Sequence, residues 1–291
     1  MTLGCVAAKI MGRTLWGVLW GVWGEPSVWE VNVMSGADVM DRQQSESPEI
    51  AALHQAAEAL EQSSPQEILR WAVDRYAPHI SLACSFGMQS VVVIDMLHDM
   101  GLLSDVEVFY LDTGVLFPET HQTRLKVSER YGIQPVRVAP RLSIAEQAVE
   151  HGEKLWERQP DACCYMRKVE PARQYLTGKR AWITGLRRGH SRTRSELPVV
   201  GWDAANDMAK INPMALLDED TLWGYIKANK VPYNPLYDQG YPSIGCTPEQ
   251  CTATVGIGGD QRAGRWAGRG KTECGLHVDG KSVKSLDSSN L

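Results

Sequence analysis

Apolar positions recur along the chain in two rhythms. Over Pro48–Leu60 and again over Pro65–Tyr76 they return every three or four residues, and each stretch opens on serine then proline (Ser47-Pro48, Ser64-Pro65). That pattern predicts a pair of amphipathic helices. From Ile80 the rhythm changes. The short apolar run 80–84 meets the hinge Ser85-Phe86-Gly87, and the apolar residues of 88–95 then return at helical spacing, which predicts strand, tight loop and helix. Residues 106–111, 135–138 and 181–184 predict three further strands, with a helix over 121–131 between the first two. Strands alternating with helices imply an α/β domain with a mostly parallel sheet and helices on both faces.

The first forty or so residues are unlike the rest. Residues 15–23 are apolar and rich in tryptophan, with Trp16, Trp20 and Trp23 on one helical face and Lys9 and Arg13 ahead of them. The run is too short to cross a bilayer and no small-x-small cleavage site follows it. We expect Met34 or Met40 to be the working start and 1–47 to be a disordered extension. The expected organisation is therefore extension 1–47, α/β nucleotide-binding domain 48–245, and a flexible C-terminal tail 246–291.

Three features of composition sharpen this. With 291 residues, the chain suffices for one main α/β domain plus extensions. A net charge of −5 supplies no field that would draw it to nucleic acid, and no segment spans a membrane. The arginines are nevertheless clumped, at 187, 188, 192 and 194 and again at 262, 265 and 269, which suggests a local anionic ligand; a solvated arginine face is the plainer alternative. The seven cysteines are odd in number and two are adjacent, which argues against a secreted disulfide framework and for thiol or metal chemistry in the reducing cytoplasm.

The candidate chemistry lies at strand ends and in the tail. Ser85, Phe86, Gly87 and Ser90 form the loop into the first post-strand helix. Gly87 allows close approach of the backbone, the two hydroxyls can donate, and the helix's first N–H groups point at whatever the loop holds, so a phosphate or sulfate fits there. Asp112-Thr113-Gly114 follow a strand's carboxyl end, where open α/β sheets bind ligands; Asp112 is either an acceptor for a ribose or adenine or the cap of the next helix. Gly185-Leu186-Arg187-Arg188 ends another strand. Cys163-Cys164 with Arg167-Lys168, and Cys246 with Cys251, make two separated thiol pairs that suit structural zinc or an iron–sulfur cluster. Cys274 stands alone beside Gly275, near Lys271 and His277, where positive neighbours favour its thiolate; it is either a nucleophile or a surface cysteine without a role.

Taken together, Ser85-Phe86-Gly87-Met88-Gln89-Ser90, Leu111-Asp112-Thr113-Gly114 with Phe117-Pro118-Glu119-Thr120, Cys163-Cys164 with Arg167-Lys168, Thr184-Gly185-Leu186-Arg187-Arg188, Arg262-Ala263-Gly264-Arg265-Trp266 and Glu273-Cys274-Gly275-Leu276-His277 resemble the assimilatory sulfonucleotide reductases. The paired-cysteine version looks like the bacterial adenosine 5′-phosphosulfate (APS) reductases. The resemblance covers roughly residues 50–277. It implies an adenine nucleotide alpha hydrolase-like fold and an oxidoreductase of sulfate assimilation and cysteine biosynthesis. By the same resemblance, Cys274 attacks the sulfur of APS and expels AMP, and thioredoxin (or glutaredoxin) releases sulfite from the S-sulfocysteine. Lys168, Arg262, Arg265 and His277 would face the sulfate and phosphate charge, and Ser85 to Ser90, with Asp112, Thr113, Gly114, Arg187 and Arg188, would hold the nucleotide. Cys163, Cys164, Cys246 and Cys251 would hold one [4Fe-4S] cluster per chain. Four residues separate Cys246 from Cys251, where the family's second pair is separated by two. Relatives lacking the paired cysteines tend to use the 3′-phosphorylated substrate, PAPS, so all four cysteines favour APS. The alternatives are a PAPS-specific reductase, an ATP-using adenylyl or sulfur-transfer enzyme on the same scaffold, and a zinc-stabilised binding protein.

Overall fold

The computed structural model describes residues 47–247, 251–252, 261–262, 265–266, 271 and 273–277, together with the backbone of 18–20 and 26–28. Two compact units divide the chain, Met1–Ala51 and Ala52–Leu291. In the first, β1 (Val18–Trp20) pairs antiparallel with β2 (Pro26–Val28). Short strand thus stands within the apolar run 15–23. The expected disorder of 1–47 and mobility of 246–291 concern residues that lie mostly outside those described.

The two amphipathic patterns form α1 (Pro48–Leu60) and α2 (Pro65–Tyr76). At the start of α2, Ser64 Oγ accepts from Glu67 N–H while the Glu67 carboxylate accepts from Ser64 N–H, so two orphan donors are satisfied at once. The sheet then begins with β3 (Ile80–Ala83), α3 (Met88–Asp99), β4 (Glu107–Leu111), α4 (Pro118–Tyr131) and β5 (Val136–Val138). α5 (Ile144–His151) and α6 (Leu155–Arg158) lead to α7 (Pro160–Cys164), which ends on the cysteine pair. It passes through a π-helical turn, Tyr165–Val169, into α8 (Glu170–Leu176). Then come β6 (Ala181–Ile183), the hairpin β7 (Val200–Asp203) and β8 (Met208–Ile211), and α9 (Glu219–Asn229).

Among the described residues the main sheet has six strands in the order β5-β4-β3-β6-β8-β7, parallel except for the edge strand β7. Leu82 sits in register with Val108 on one side and Ile183 on the other, and all of β6 is buried, as a strand covered on both faces must be. The strand order reverses between β3 and β6. A crevice opens outside the carboxyl ends of strands at such a switch point, and this fold places its ligands there.

The β7–β8 hairpin was not legible as strand. Its turn is held by Asp203, whose Oδ1 accepts from Ala205 and Asn206 N–H while Oδ2 accepts from Trp182 Nε1 at 3.0 Å. The fully buried Trp182 is thereby fixed beneath the site. Among the described residues, no helix is long and apolar enough to cross a membrane.

Candidate active site

The crevice between β3 and β6 holds a cavity of about 190 Å³. Its inner wall is made where the two strands end. Gly87 caps α3, and Phe86 before it takes a left-handed backbone (φ 55°) that turns its buried ring onto Tyr110, 5.4 Å away. A non-glycine residue in that region stores strain of the kind seen at ligand-binding turns. Gly185, at the end of β6, lies so close to the first turn of α3 that a Cβ would meet Ser90 N at 3.0 Å. Both glycine positions therefore serve close backbone approach beside the cavity.

The hydroxyls of this loop are already engaged. Ser90 Oγ donates to Gly87 O at 3.0 Å, so its proton holds the turn rather than facing a ligand. Ser85 is exposed and its Oγ accepts from Gly87 N–H at 3.4 Å. Tyr237, from the chain after α9, reaches across so that its hydroxyl accepts from Met88 N–H at 3.3 Å. Ser85, Phe86, Gly87, Ser90 and Thr113 all line the cavity.

The opposite wall is cationic and carries a thiol. Lys168, Arg194, Arg262 and Arg265 line it together with Cys274 and His277. Burial works against the charge of Lys168, but the sulfurs of Cys246, Cys251, Cys164 and Cys274 outweigh it and hold the ammonium protonated. Cys274 shows the reverse balance. Burial alone would raise its pKa, yet Lys168, Arg262, Arg265 and the N–H of Leu276 bring it below the ordinary thiol range. Arg265 stacks over Trp266 at 4.5 Å and donates to Cys251 O, and the path it takes requires Gly245, where a Cβ would collide with the guanidinium.

His277 lies nearly parallel to Trp182, with ring centroids 5.3 Å apart and planes at 16°. Burial, helped by Lys210, Arg194 and Arg262, depresses its pKa well below the usual imidazole range. It lines the cavity, and this environment favours its neutral ring. His190 is held neutral for the same reasons, with burial first and Arg194 next. It also lines the cavity, and the sequence reading passed over it.

Four expected site residues stand outside the cavity lining. Asp112 pairs with Arg137 at 2.6 Å and accepts from Gly114 N–H at 3.0 Å; burial opposes its charge, but these two partners hold its carboxyl below the usual range. It does not cap α4 either, whose N-cap is Phe117. Gly114 adopts φ +75° and has no room for a Cβ, because Arg167 Nη2 would lie 2.9 Å away. Arg187 donates to Leu217 O and Gln261 Oε1. Arg188 grips Glu61 through two bonds of 2.6 and 3.1 Å and donates to Leu197 O. Two members of the arginine clump are thus structural ties, and Arg194, from the same clump, is the one aimed into the cavity.

Behind Lys168 lies a second, smaller cavity, lined by all four paired cysteines, Cys163, Cys164, Cys246 and Cys251. All four are free and buried. Cys246 is brought there by a bridge to Leu116, and Cys251 by a turn in which its N–H donates to Thr247 O. The two thiols influence each other, so that Cys251 is drawn down toward the thiolate while Cys246, which is also buried, is pushed up. Arg167 ties this region to the end of β4, donating to Thr113 O at 2.6 Å and to Gln147 Oε1 at 2.9 Å. Among the described residues no group of three or more His, Cys, Asp and Glu converges on one point as the ligands of a single ion do. In type, four thiols around one cavity fit the donor set of structural zinc and equally that of an iron–sulfur cluster.

A mostly parallel α/β fold with a cavity at its switch point and a cation-flanked thiol can hold a nucleotide beside a reactive cysteine. Residues 79–253 match the family model described as the phosphoadenosine phosphosulfate reductase domain, and the chain belongs to that family. It is accordingly an oxidoreductase acting on a sulfur group. It is 44% identical over 211 residues to adenosine 5′-phosphosulfate reductase 1 of Bacillus subtilis, covering 72% of this chain and 89% of that one. It is 43% identical over 227 residues to a phosphoadenosine 5′-phosphosulfate reductase of Gloeobacter violaceus, covering 78% and 93%. Among solved structures it is similar to the phosphoadenylyl-sulfate reductase of Candida auris in its phosphate complex, with a TM-score of 0.60, 34% identity, and 69% and 96% of the two chains covered.

Proposed function

We propose that the chain reduces APS to sulfite and AMP in the cytoplasm, with thioredoxin as electron donor. The observation that carries this reading is Cys274, its thiolate favoured by Lys168, Arg262 and Arg265, lining the same cavity as the Ser85 to Ser90 loop. In the first step the Cys274 thiolate attacks the sulfur of the substrate, the bond from sulfur to the bridging phosphate oxygen breaks, and AMP leaves. Cys274 then carries a sulfonate. A thioredoxin thiolate attacks the Cys274 sulfur and expels sulfite; its second thiol resolves the mixed disulfide, so thioredoxin is oxidised and Cys274 returns to the thiol.

Two anions meet in the first step, and the cationic wall offsets their repulsion where charge develops. The neutral wall of Phe86, Leu111, Leu186 and the glycine turns would take the adenosine. His190 and His277, both neutral, leave the cationic task to Lys168 and the arginines. Cys163, Cys164, Cys246 and Cys251 would hold a [4Fe-4S] cluster, which when bound supplies a delocalised charge on the far side of Lys168. Lys168 borders both cavities and would sense both.

Sulfite release from APS and from PAPS, compared on anaerobically purified protein, tests the reading. APS is expected to be reduced and PAPS to be poor; preference for PAPS would move the assignment to the reading that the Gloeobacter relative's name supports. The visible spectrum tests the metal. A broad brown absorption that bleaches in air, and is lost in Cys246→Ser, is expected; a colourless protein would exclude the cluster.

A further inference from the structure

The segment that carries Cys274 is seated by unequal anchors. On its C-terminal side, Leu276 packs against the cluster of Phe109, Leu176 and Trp182, and His277 stacks on Trp182. On its N-terminal side stands Glu273, next in sequence to the thiol. Its carboxylate takes four bonds: from Arg194 Nε and Nη2 at 3.0 and 2.9 Å, from Arg262 Nη2 at 3.0 Å and from Thr193 Oγ1 at 3.0 Å. The ion pairs are nearly dry, with 12% of the Glu273 side chain exposed against 8% of Arg194 and 6% of Arg262. A neighbouring pair, Lys271 with Asp161, is a weaker tether because the Asp161 side chain is 76% exposed and its field is screened by water.

We propose that Glu273 is a positioning residue, a carboxylate clasp that seats residues 273–277 on Arg194, Arg262 and Thr193 and so keeps the Cys274 thiol facing the cavity. The inference rests on the role given above to Cys274. Removing one member of a buried, hydrogen-bonded charge pair leaves the other uncompensated, so the seat is lost when either Glu273 or Arg194 is neutralised. Arg262 is shared between the clasp and the cationic wall, which couples the placing of the thiol to the charge that receives the substrate.

The test is alkylation of Cys274 by neutral iodoacetamide in the nucleotide-free full chain, read at that site by peptide mass, with the rate taken on the alkaline plateau where the thiol is fully ionised. Glu273→Gln and Arg194→Gln are each expected to raise the plateau rate by about tenfold, and the double variant to react no faster than either single one, because both remove the same seat. Glu273→Asp, which keeps the charge on a shorter stem, should fall between. A pure charge effect predicts opposite signs for the two single variants, since one removes an anion and the other a cation near the thiolate. Opposite signs, additive effects, or a wild-type rate in Glu273→Gln would each overturn the clasp. Should an arginine variant fail to fold, Thr193→Val removes one clasp bond without a charge and is expected to raise the rate more modestly; an unchanged rate there counts against the clasp. Alkylation needs no turnover, so failure of the APS reading would show separately, as absence of sulfite.

Discussion

Cys84 and Cys274 line one cavity and have opposite chemistry. Cys84 follows β3 with 2% of its surface exposed; burial pushes its thiol up to about 11, and the thiol donates to Ser90 Oγ at 3.5 Å. Cys274 meets Lys168, Arg262 and Arg265 and its pKa falls. Both are cysteines beside the same space, so residue type and location do not distinguish them. Cations within reach of the sulfur do, and they are Lys168 of the π-helical turn with Arg262 and Arg265, rather than any residue of the strand.

The largest effect expected is on Cys274. Cys274→Ser should lower sulfite formation at least about a thousandfold while AMP binding stays near wild type, and full turnover by that variant would erase the contrast. Cys84→Ala should keep activity within about twofold. Next comes Lys168→Met, expected to slow sulfite release by about a hundredfold. The sign in pH is set by the lost cation: an opposite charge favours the thiolate, so without it the Cys274 pKa rises and the alkylation profile moves to higher pH. A profile that stays in place would show that Arg262 and Arg265 suffice. Arg265→Ala should weaken APS by about tenfold more than AMP in equilibrium titration, because the sulfate is the added charge; equal losses would take Arg265 away from the sulfate. The smallest effect is on stability. Cys84→Ala should cost about 1 kcal/mol in denaturant unfolding, the loss of one small buried side chain.

Much of the fold was legible because its signals are local. Apolar spacing and serine-proline starts gave α1 and α2, and the strand-loop-helix at Ile80 stood out as a change of rhythm. The β7–β8 hairpin escaped because Val200–Asp203 and Met208–Ile211 carry glycine, aspartate and a buried lysine where alternation was sought; Asp203 and Lys210 are there for Trp182 and His277, a reason no window of sequence contains. The site divided in the same way. Residues recognised by motif, such as Gly87, Lys168 and Cys274, lie on the cavity wall. Asp112 and Arg188 do not, because Arg137 and Glu61 claim them, and those partners lie 25 and 127 positions away. Arg194 was visible only as one of a clump, since what singles it out, Glu273, comes 79 residues later. His190 and Tyr237 belong to no motif and are placed by tertiary packing alone.

The π-helical turn at Tyr165–Val169 has a consequence best stated as phase. A regular helix advances about 100° per residue, and one wide turn inserts a residue without interrupting the rod. α7 therefore presents Cys163 and Cys164 to one cavity while Lys168, a turn further on, reaches both, and α8 resumes with Pro171, Ala172 and Leu176 directed into the core. The two cavities share a wall because the helix slips phase between them. A chain one residue shorter at that point would keep both pieces of helix and lose the shared wall.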